Sequence, residues 1–343
     1  MSIKLLVTGG SGFMGSAFIR LVIKNTNYTV INIDLLTYAS NLKSLEKINK
    51  IKRYSFKKID INNRKSIRDI LLRYKPNAII HFAAETHVDN SLIQSDVFIK
   101  TNIFGTYNLI SEARAYWSKL KNIDKNKFIF HHITTDEVFG DLVFKNKQKF
   151  SEKSPYLPNN PYSASKASSD HLIRAWHHSY GLPVIITHCS NNYGPFQNPE
   201  KFIPKIIIRA MQGKPLPIYG NGKHVRDWLY VEDNADALLK VLSKGKIGHS
   251  YNIGGNNERT NLSVVKKICR ILEENINNKQ KKCKSFIDLI SFIKDRPGHD
   301  LRYALNTNKI RNNIGWRPKT SFTQGLRKTV LWYIQNKYWW ENI

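Results

Sequence analysis

Ile3-Lys4-Leu5-Leu6-Val7-Thr8-Gly9-Gly10-Ser11-Gly12-Phe13-Met14-Gly15 is the stretch that decides the fold. An apolar run of strand length meets GxGxxG at Gly10, Gly12 and Gly15, and a helical pattern from Met14 to Lys24 follows directly. Glycines there permit a tight turn and close approach of the backbone to a pyrophosphate, while the helix N-terminus offers amide donors and positive potential. By itself the motif is weak, because an ordinary Gly-rich turn satisfies it. The next apolar run, Thr29 to Asp34, ends on a carboxylate about 20 residues downstream, where ribose hydroxyls find an acceptor. Strand, turn, helix and acid together predict a dinucleotide site. The carboxylate at Asp34 would repel a 2′-phosphate, so NAD is expected rather than NADP.

Working outward, further strands are expected at Tyr54 to Ile59, Ala78 to Ala83, Phe128 to Thr134 and Val184 to His188. Helices are expected at Arg64 to Tyr74, Asp96 to Ser118 and Tyr162 to Tyr180. This alternation is the sign of repeated right-handed βαβ units and a doubly wound, Rossmann-type parallel sheet of the α/β class. After Asn191 the texture changes, with Pro195, Pro199, Pro204, Pro215 and Pro217 punctuating shorter segments. A helix at Val231 to Leu242 and a strand at Ser250 to Ile253 imply a return to the main sheet. The expected division is therefore a cofactor domain of residues 1–190 and 227–253, and a smaller mixed α/β substrate lobe of residues 191–226 and 254–343.

Composition bounds the function. The 343 residues exceed one typical domain of roughly 100 to 200, and 41% hydrophobic with 23% charged residues is ordinary for a globular chain. No apolar run approaches the roughly 18 residues of a membrane helix, and Ile3 onward reads directly as strand, so a cytoplasmic protein with no membrane partner is expected. Cys189, Cys269 and Cys283 lack CxxC spacing, which argues against a disulfide framework or a structural zinc site; no metal is expected. Fifty-four Lys and Arg against 26 Asp and Glu give +28. Such charge invites a nucleic-acid partner, yet the basic residues are scattered, with only short clusters such as Lys279 to Lys284, and no helix-turn-helix, RNP or zinc-knuckle pattern accompanies them. Heavy joint use of Lys, Asn and Ile is also what an AT-rich coding sequence produces. No nucleic-acid partner is expected, although the surface would attract an anionic substrate.

Two motifs carry chemistry. Tyr162-Ser163-Ala164-Ser165-Lys166 follows Pro161, and i, i+4 spacing sets the phenol and the ammonium on one helix face. An adjacent ammonium and a nicotinamide cation would favour the phenolate of a group whose ordinary pKa is about 10. Thr134-Thr135-Asp136-Glu137 follows the strand from Phe128, at the carboxyl edge where open α/β sheets bind ligands. Two adjacent carboxylates there fit an acid/base pair, one held protonated beside an ionised neighbour; a solvated loop or helix cap is the plainer alternative. Asp60-Ile61 fits either the adenine border or an acidic helix cap.

Taken together, Thr8 to Gly15, Asp34 with Leu36-Thr37-Tyr38-Ala39, Ala83 to Asp89, Thr135-Asp136-Glu137, Tyr162 to Lys166 and Asn191 to Pro195 resemble the extended short-chain dehydrogenase/reductase superfamily. Within it they resemble the dTDP-glucose 4,6-dehydratases, and Pro215 to Tyr219, Arg226-Asp227-Trp228 and Asp295 to Asp300 extend the likeness over nearly the whole chain. The acidic pair discriminates, since sugar 4-epimerases of the superfamily lack it. A nucleotide-sugar 4-epimerase and a dehydratase for another NDP-hexose are the alternatives. Phe139 departs from the Tyr common in the family.

The resemblance implies NAD-dependent dehydration of dTDP-glucose to the 4-keto-6-deoxy sugar by a hydro-lyase of deoxysugar synthesis. Thr135, Asp136, Glu137, Tyr162 and Lys166 would be the catalytic residues. It implies cofactor contacts from Gly9, Gly12, Phe13, Met14, Gly15, Asp34, Leu35, Leu36, Thr37, Asp60, Ile61, Phe82, Ala83, Ala84, Thr86, Thr101, Tyr162, Lys166 and Asn192. The nucleotide sugar would be met by Thr86, Thr135, Asn191, Glu200, Lys201, Pro217, Tyr219, Arg226, Asn261, Arg296 and His299. Arg226 and Arg296 suit a diphosphate because guanidinium forms bidentate charge-assisted bonds, but both, like Lys201, equally fit surface ion pairs, and Pro217 with Tyr219 fits a plain turn between lobes. A homodimer is implied, through Asp96 to Ser118 and Tyr162 to Tyr180, whose apolar positions also serve as core faces.

Overall fold

The computed structural model describes residues 3–142, 148–277 and 281–341; Lys279 of the basic cluster lies outside them. The first half builds strands β1 (Lys4–Thr8), β2 (Thr29–Asp34), β3 (Tyr54–Lys58), β4 (Ala78–His81), β5 (Ile129–Thr135) and β6 (Val184–Cys189). With β10 (Ser250–Ile253) they form one seven-stranded sheet in the order β10-β6-β5-β4-β1-β2-β3, parallel throughout. This is the doubly wound Rossmann-type order, with its switch point between β1 and β4. Alternate residues of each strand serve opposite faces. Leu5 and Val7 join one buried cluster with the helices Phe13–Asn25 and Val231–Lys244, while Leu6 and Ile79 join another beneath the helices Arg64–Tyr74 and Thr106–Ser118. Burial on both faces is what makes the strands read as continuous apolar runs.

Between these returns the chain builds a smaller lobe. Strands β7 (Asn191–Tyr193), β9 (Val225–Tyr230) and β11 (Glu258–Thr260) form a mixed three-stranded sheet, and β8 (Leu216–Tyr219) pairs in parallel with β12 (Ile290–Ile293). The helices Phe202–Met211, Asn261–Asn275 and Phe322–Gln335 enclose a separate core that includes Ile207, Trp228, Ile268, Val330 and Trp339.

One expected helix is broken. Asp96 to Ser118 is not continuous: Ser95–Phe98 and Thr106–Ser118 flank a π-helical segment, Ile99–Gly105. The wider turn aims Asn102 inward, where it accepts from the Glu85 amide at 2.8 Å and donates to the Glu85 carbonyl and to Ser165 Oγ. Gly105 lets the segment close on β3's loop, since a Cβ there would meet Ile61 at 2.6 Å. A π-segment is common where a helix serves a site, and apolar periodicity carries no trace of it.

Candidate functional site

At the carboxyl edge of the main sheet a cavity is lined by Gly9, Gly12, Asp34, Thr135, Tyr162 and Lys201, among others. Its floor follows from the first turn. Gly9 has φ +67°, and a Cβ on it would sit 2.5 Å from the Ala83 amide; a Cβ on Gly10 would meet Asn32 Oδ1 at 2.3 Å. Those two glycines permit the fold, whereas Gly12 faces the cavity, its nearest neighbour to such an atom being the Gly9 carbonyl at 3.2 Å. Gly12 also precedes the helix Phe13–Asn25 with no side-chain cap, leaving first-turn amides for an anion. Asp34 is buried and accepts from the Ser11 amide, the Leu36 amide and Ser40 Oγ at 2.8–2.9 Å. Three donors leave the carboxylate room for a further hydroxyl. These residues fit a dinucleotide.

Of the expected cofactor residues, Leu36 alone does not line the cavity; its amide braces Asp34 instead. Asp60 and Ile61 both do, and the cap of the helix Arg64–Tyr74 is Asn63, not Asp60. The expected sugar residues divide. Thr86, Thr135, Asn191, Glu200 and Lys201 line the cavity, with Lys201 Nζ donating to the Thr86 carbonyl at 2.9 Å. Pro217, Tyr219, Arg226, Asn261, Arg296 and His299 lie off this wall, in the smaller lobe. Arg226 is buried, donates to the Val225 and Asp300 carbonyls at 2.8 Å, and lies 4.4 Å over the Tyr303 ring. Arg296 donates to Asp89 Oδ1 at 2.7 Å, and Tyr219 Oη donates to the other Asp89 oxygen at 3.0 Å. His299 stacks on His224, and both face Asp295. Asn261 starts the helix Asn261–Asn275, its amide on the His224 carbonyl. The surface ion-pair alternative fails for Arg226, whose partners are buried carbonyls.

The acid/base groups cluster at the end of β5. The helix Pro161–Tyr180 is capped by Asn160, whose side chain accepts from the Ser163 amide, and it buries Tyr162 and Lys166 against the sheet. Lys166 Nζ donates to the Ile133 carbonyl at 3.0 Å, and burial lowers its pKa to about 8 against the pull of Asp170. Burial raises the Tyr162 phenol well above its ordinary value, reinforced by Glu137, while a hydrogen bond from Thr135 opposes the rise. The phenolate expected here rests on Lys166 together with a nicotinamide cation; burial and the neighbouring acids of the protein itself act against it. Asp136 is 1% exposed. Burial first, and Glu137 second, lifts its carboxyl well above the usual range. Glu137 is raised by burial too, with Arg226 and Arg296 opposing. Asp136 therefore suits a proton donor near neutrality, and Glu137 an improved base. The turn Asp136–Phe139 is capped by Thr135, whose Oγ1 accepts from the Glu137 amide. Phe139 stacks on Phe150 and packs against His188, so its departure from Tyr falls in an aromatic core and not in the cavity.

Sequence reading missed Glu85, Gln197 and Asn198 on the cavity wall, and Asp89, which joins the two lobes. Glu85 and Asp89 stand inside a motif already singled out, but nothing local shows what they touch. Cys189 and Cys269 are buried, Cys283 partly so, and all three are free.

The family model described as GDP-mannose 4,6 dehydratase matches residues 6–329. A dTDP-glucose 4,6-dehydratase of Neisseria meningitidis serogroup B is 53% identical over 340 residues, covering 99% of this chain and 96% of that protein. Among solved structures, dTDP-glucose 4,6-dehydratase from Bacillus anthracis in complex with NAD superposes with TM-score 0.86 at 40% identity, covering 99% of each chain. DesIV, the dTDP-glucose 4,6-dehydratase from Streptomyces venezuelae with NAD and TYD bound, does so with TM-score 0.89 at 39% identity, again over 99% of each.

Proposed function

The chain belongs to the dTDP-glucose 4,6-dehydratase family, and from that premise we propose that it dehydrates dTDP-glucose to dTDP-4-keto-6-deoxyglucose with NAD as its recycled cofactor. The observation that carries the reading is the convergence of Tyr162, Thr135, Asp136 and Glu137 on one cavity beside the glycine turn. Bound NAD supplies the acceptor for the C4 hydride and the donor that returns it at C6. Tyr162 takes the proton of the 4-hydroxyl while Thr135 hydrogen-bonds the same oxygen and Lys166 favours the phenolate by its charge. The 4-ketone so formed acidifies C5–H. Glu137 removes that proton, Asp136 donates one to the departing C6 hydroxyl, and Glu137 gives its proton back to C5 when C6 is reduced. Each positioned acid or base contributes on the order of 10²- to 10⁴-fold. An epimerase has no use for a protonated carboxyl beside a base, so the raised Asp136 supports dehydration over 4-epimerisation.

In this reading residues 1–190 and 227–253 hold the cofactor, and residues 191–226 and 254–343 hold the nucleotide and diphosphate, with Arg226 and Arg296 as its cations. The protein acts in the cytoplasm as a homodimer. Among the described residues no helix is long and apolar enough to cross a membrane. Val97, Phe104, Tyr107 and Tyr180 are exposed on the helical layer between Ser95 and Tyr180, a face that a second copy would cover. Phe104→Asp should then yield a monomer in sedimentation. The function itself is tested by mass spectrometry of a dTDP-glucose incubation without added reductant: loss of one water is expected, and a 4-hydroxyl epimer of unchanged mass overturns it.

A further inference from the structure

Phe196, Gln197 and Asn198 follow β7 in the smaller lobe, and each is tied to a different part of the molecule. Phe196 holds φ +67°, a left-handed backbone that a bulky residue keeps only where its surroundings impose it. Its ring is what they grip. The Arg20 guanidinium of the helix Phe13–Asn25 lies 4.4 Å from the ring centre, and the Trp332 and Trp339 rings lie at 4.6 and 5.8 Å. Gln197 is buried, donates from its side-chain amide to the Asn192 carbonyl at 2.9 Å, and accepts from the Tyr333 hydroxyl at its own carbonyl. Asn198 reaches across to the other lobe: its side-chain amide donates to the Tyr38 carbonyl at 3.0 Å, while its Oδ1 accepts from the Glu200 amide at 3.0 Å.

These ties run along the cofactor cavity. Gln197 and Asn198 line it, as do Thr37, Ala39 and Ser40 on either side of Tyr38. Ser40 Oγ donates to Asp34, the carboxylate that fits a ribose. The Asn198 bond to Tyr38 thus joins the wall built by the smaller lobe to the loop at the ribose end of the cavity. The two ends of the segment differ in strength. Phe196 sits in an aromatic socket, whereas Tyr38 is 45% exposed, so the bond at Asn198 can open to water without unpacking a core. None of these ties uses the nucleotide, so opening costs the same with NAD beneath as without it.

Resting on the reading above, in which the cofactor carries hydride from C4 until C6 receives it and must not escape in between, we infer that Phe196-Gln197-Asn198 is a strap that gates NAD exchange. Phe196 is its fixed end. Asn198 releases Tyr38 when NAD enters or leaves and re-forms the bond behind it. A gate that opens at equal cost in both directions slows entry and exit by one factor and leaves affinity unchanged, whereas a residue that merely touches NAD changes affinity through the exit rate.

The test reads both rates. Purified protein loaded with radiolabelled NAD is chased with unlabelled NAD to give the dissociation rate, equilibrium dialysis gives Kd, and their quotient gives the association rate. Asn198→Ser keeps a neutral acceptor for the Glu200 amide but is too short to reach Tyr38. A neutral hydrogen bond of this kind corresponds to roughly two- to tenfold, so dissociation and association should both rise by that factor with Kd within about twofold of wild type. Phe196→Leu, which empties the socket, should do the same and by more. Dissociation that rises with an equal rise in Kd overturns the gate, because Asn198 is then an ordinary contact. Exchange unchanged in Asn198→Ser overturns it too, whatever Phe196→Leu does. Wild-type protein that exchanges NAD but makes no 4-keto sugar from dTDP-glucose defeats instead the functional reading, and the strap stands.

Discussion

The two lobes meet at one cavity but are built from different kinds of information. In the cofactor lobe the site residues are neighbours in sequence: Gly9 to Gly15 make one turn, Thr135 to Glu137 another, and Tyr162 with Lys166 one helical step. In the smaller lobe several of the expected residues depend on a distant partner. Arg296 meets Asp89 across 207 residues, Lys201 meets Thr86 across 115, and Arg226 is held by the Asp300 carbonyl across 74. Local geometry fixes the chemistry, and long-range packing fixes what is brought to it. Substitutions in the first region should therefore alter rates, and those in the second should alter binding.

The largest effects belong to the β5 cluster. Tyr162→Phe should abolish formation of reduced nicotinamide, a loss of at least about 10³-fold in kcat. Asp136→Asn should leave that step in place, so that stopped-flow absorbance shows reduced cofactor accumulating while water loss stalls. If Asp136→Asn turned over normally, the acid would lie elsewhere and the division between the lobes would lose its sharpest support.

Arg226 tests the other side. Arg226→Lys keeps the charge but loses the fork that reaches the Val225 and Asp300 carbonyls. Lysine also cannot reproduce a guanidinium's bidentate grip on a phosphate, and a hydrogen bond to a charged group is worth about 1.5–3 kcal/mol, so dTDP binding measured by calorimetry should weaken by roughly 10- to 100-fold while the first hydride transfer at saturation is spared. Equal loss of rate and affinity would place Arg226 with the reacting groups.

How much of this was legible in the sequence follows the same line. Gly12, Asp34 and the Tyr162/Lys166 pair announce themselves because strand, turn and helix periods are local, and the cavity they line was expected from them. The protonated state expected for Asp136 has burial as its first cause, which adjacency to Glu137 did not reveal. The π-helical turn at Ile99–Gly105 is invisible because apolar spacing is nearly the same on either side of one wide turn. Asp89 is the clearest omission: an acid in the first turn of the short helix Val88–Ile93, whose two partners exist only once β8 and the segment at Arg296 are folded against it.

A smaller effect separates the regions by acid. His131 lies fully buried in the main sheet, and burial lowers its pKa to about 3. The unfolded chain binds that proton below about 6.5 and the folded chain does not, so stability present above that value is lost as pH falls from it. The slope is at most about 1.4 kcal/mol per pH unit for one such group. Thermal melts between neutral and mildly acidic pH should show the melting temperature falling, and His131→Gln should flatten the decline. An unchanged slope would move the acid sensitivity to the other buried histidines, His81, His132 and His188 of the same sheet or the His224 and His299 stack of the smaller lobe.

Tyr219 gives the smallest and finest test. Its hydroxyl donates to Asp89, and its ring faces both Arg296 and His299. Tyr219→Phe keeps the ring and removes only the bond that ties β8 to the cofactor lobe. The Asp89 carboxylate retains Arg296, so the net loss should be about 0.5–1.5 kcal/mol. If the bond serves binding, the cost should appear as a KM raised several-fold at constant kcat. If it serves to hold the lobes at a catalytic distance, kcat should fall with KM unchanged. The second outcome would make the smaller lobe part of the chemistry, and the contrast between the two regions would have to be redrawn as one of distance from Asp136 and no longer of lobe.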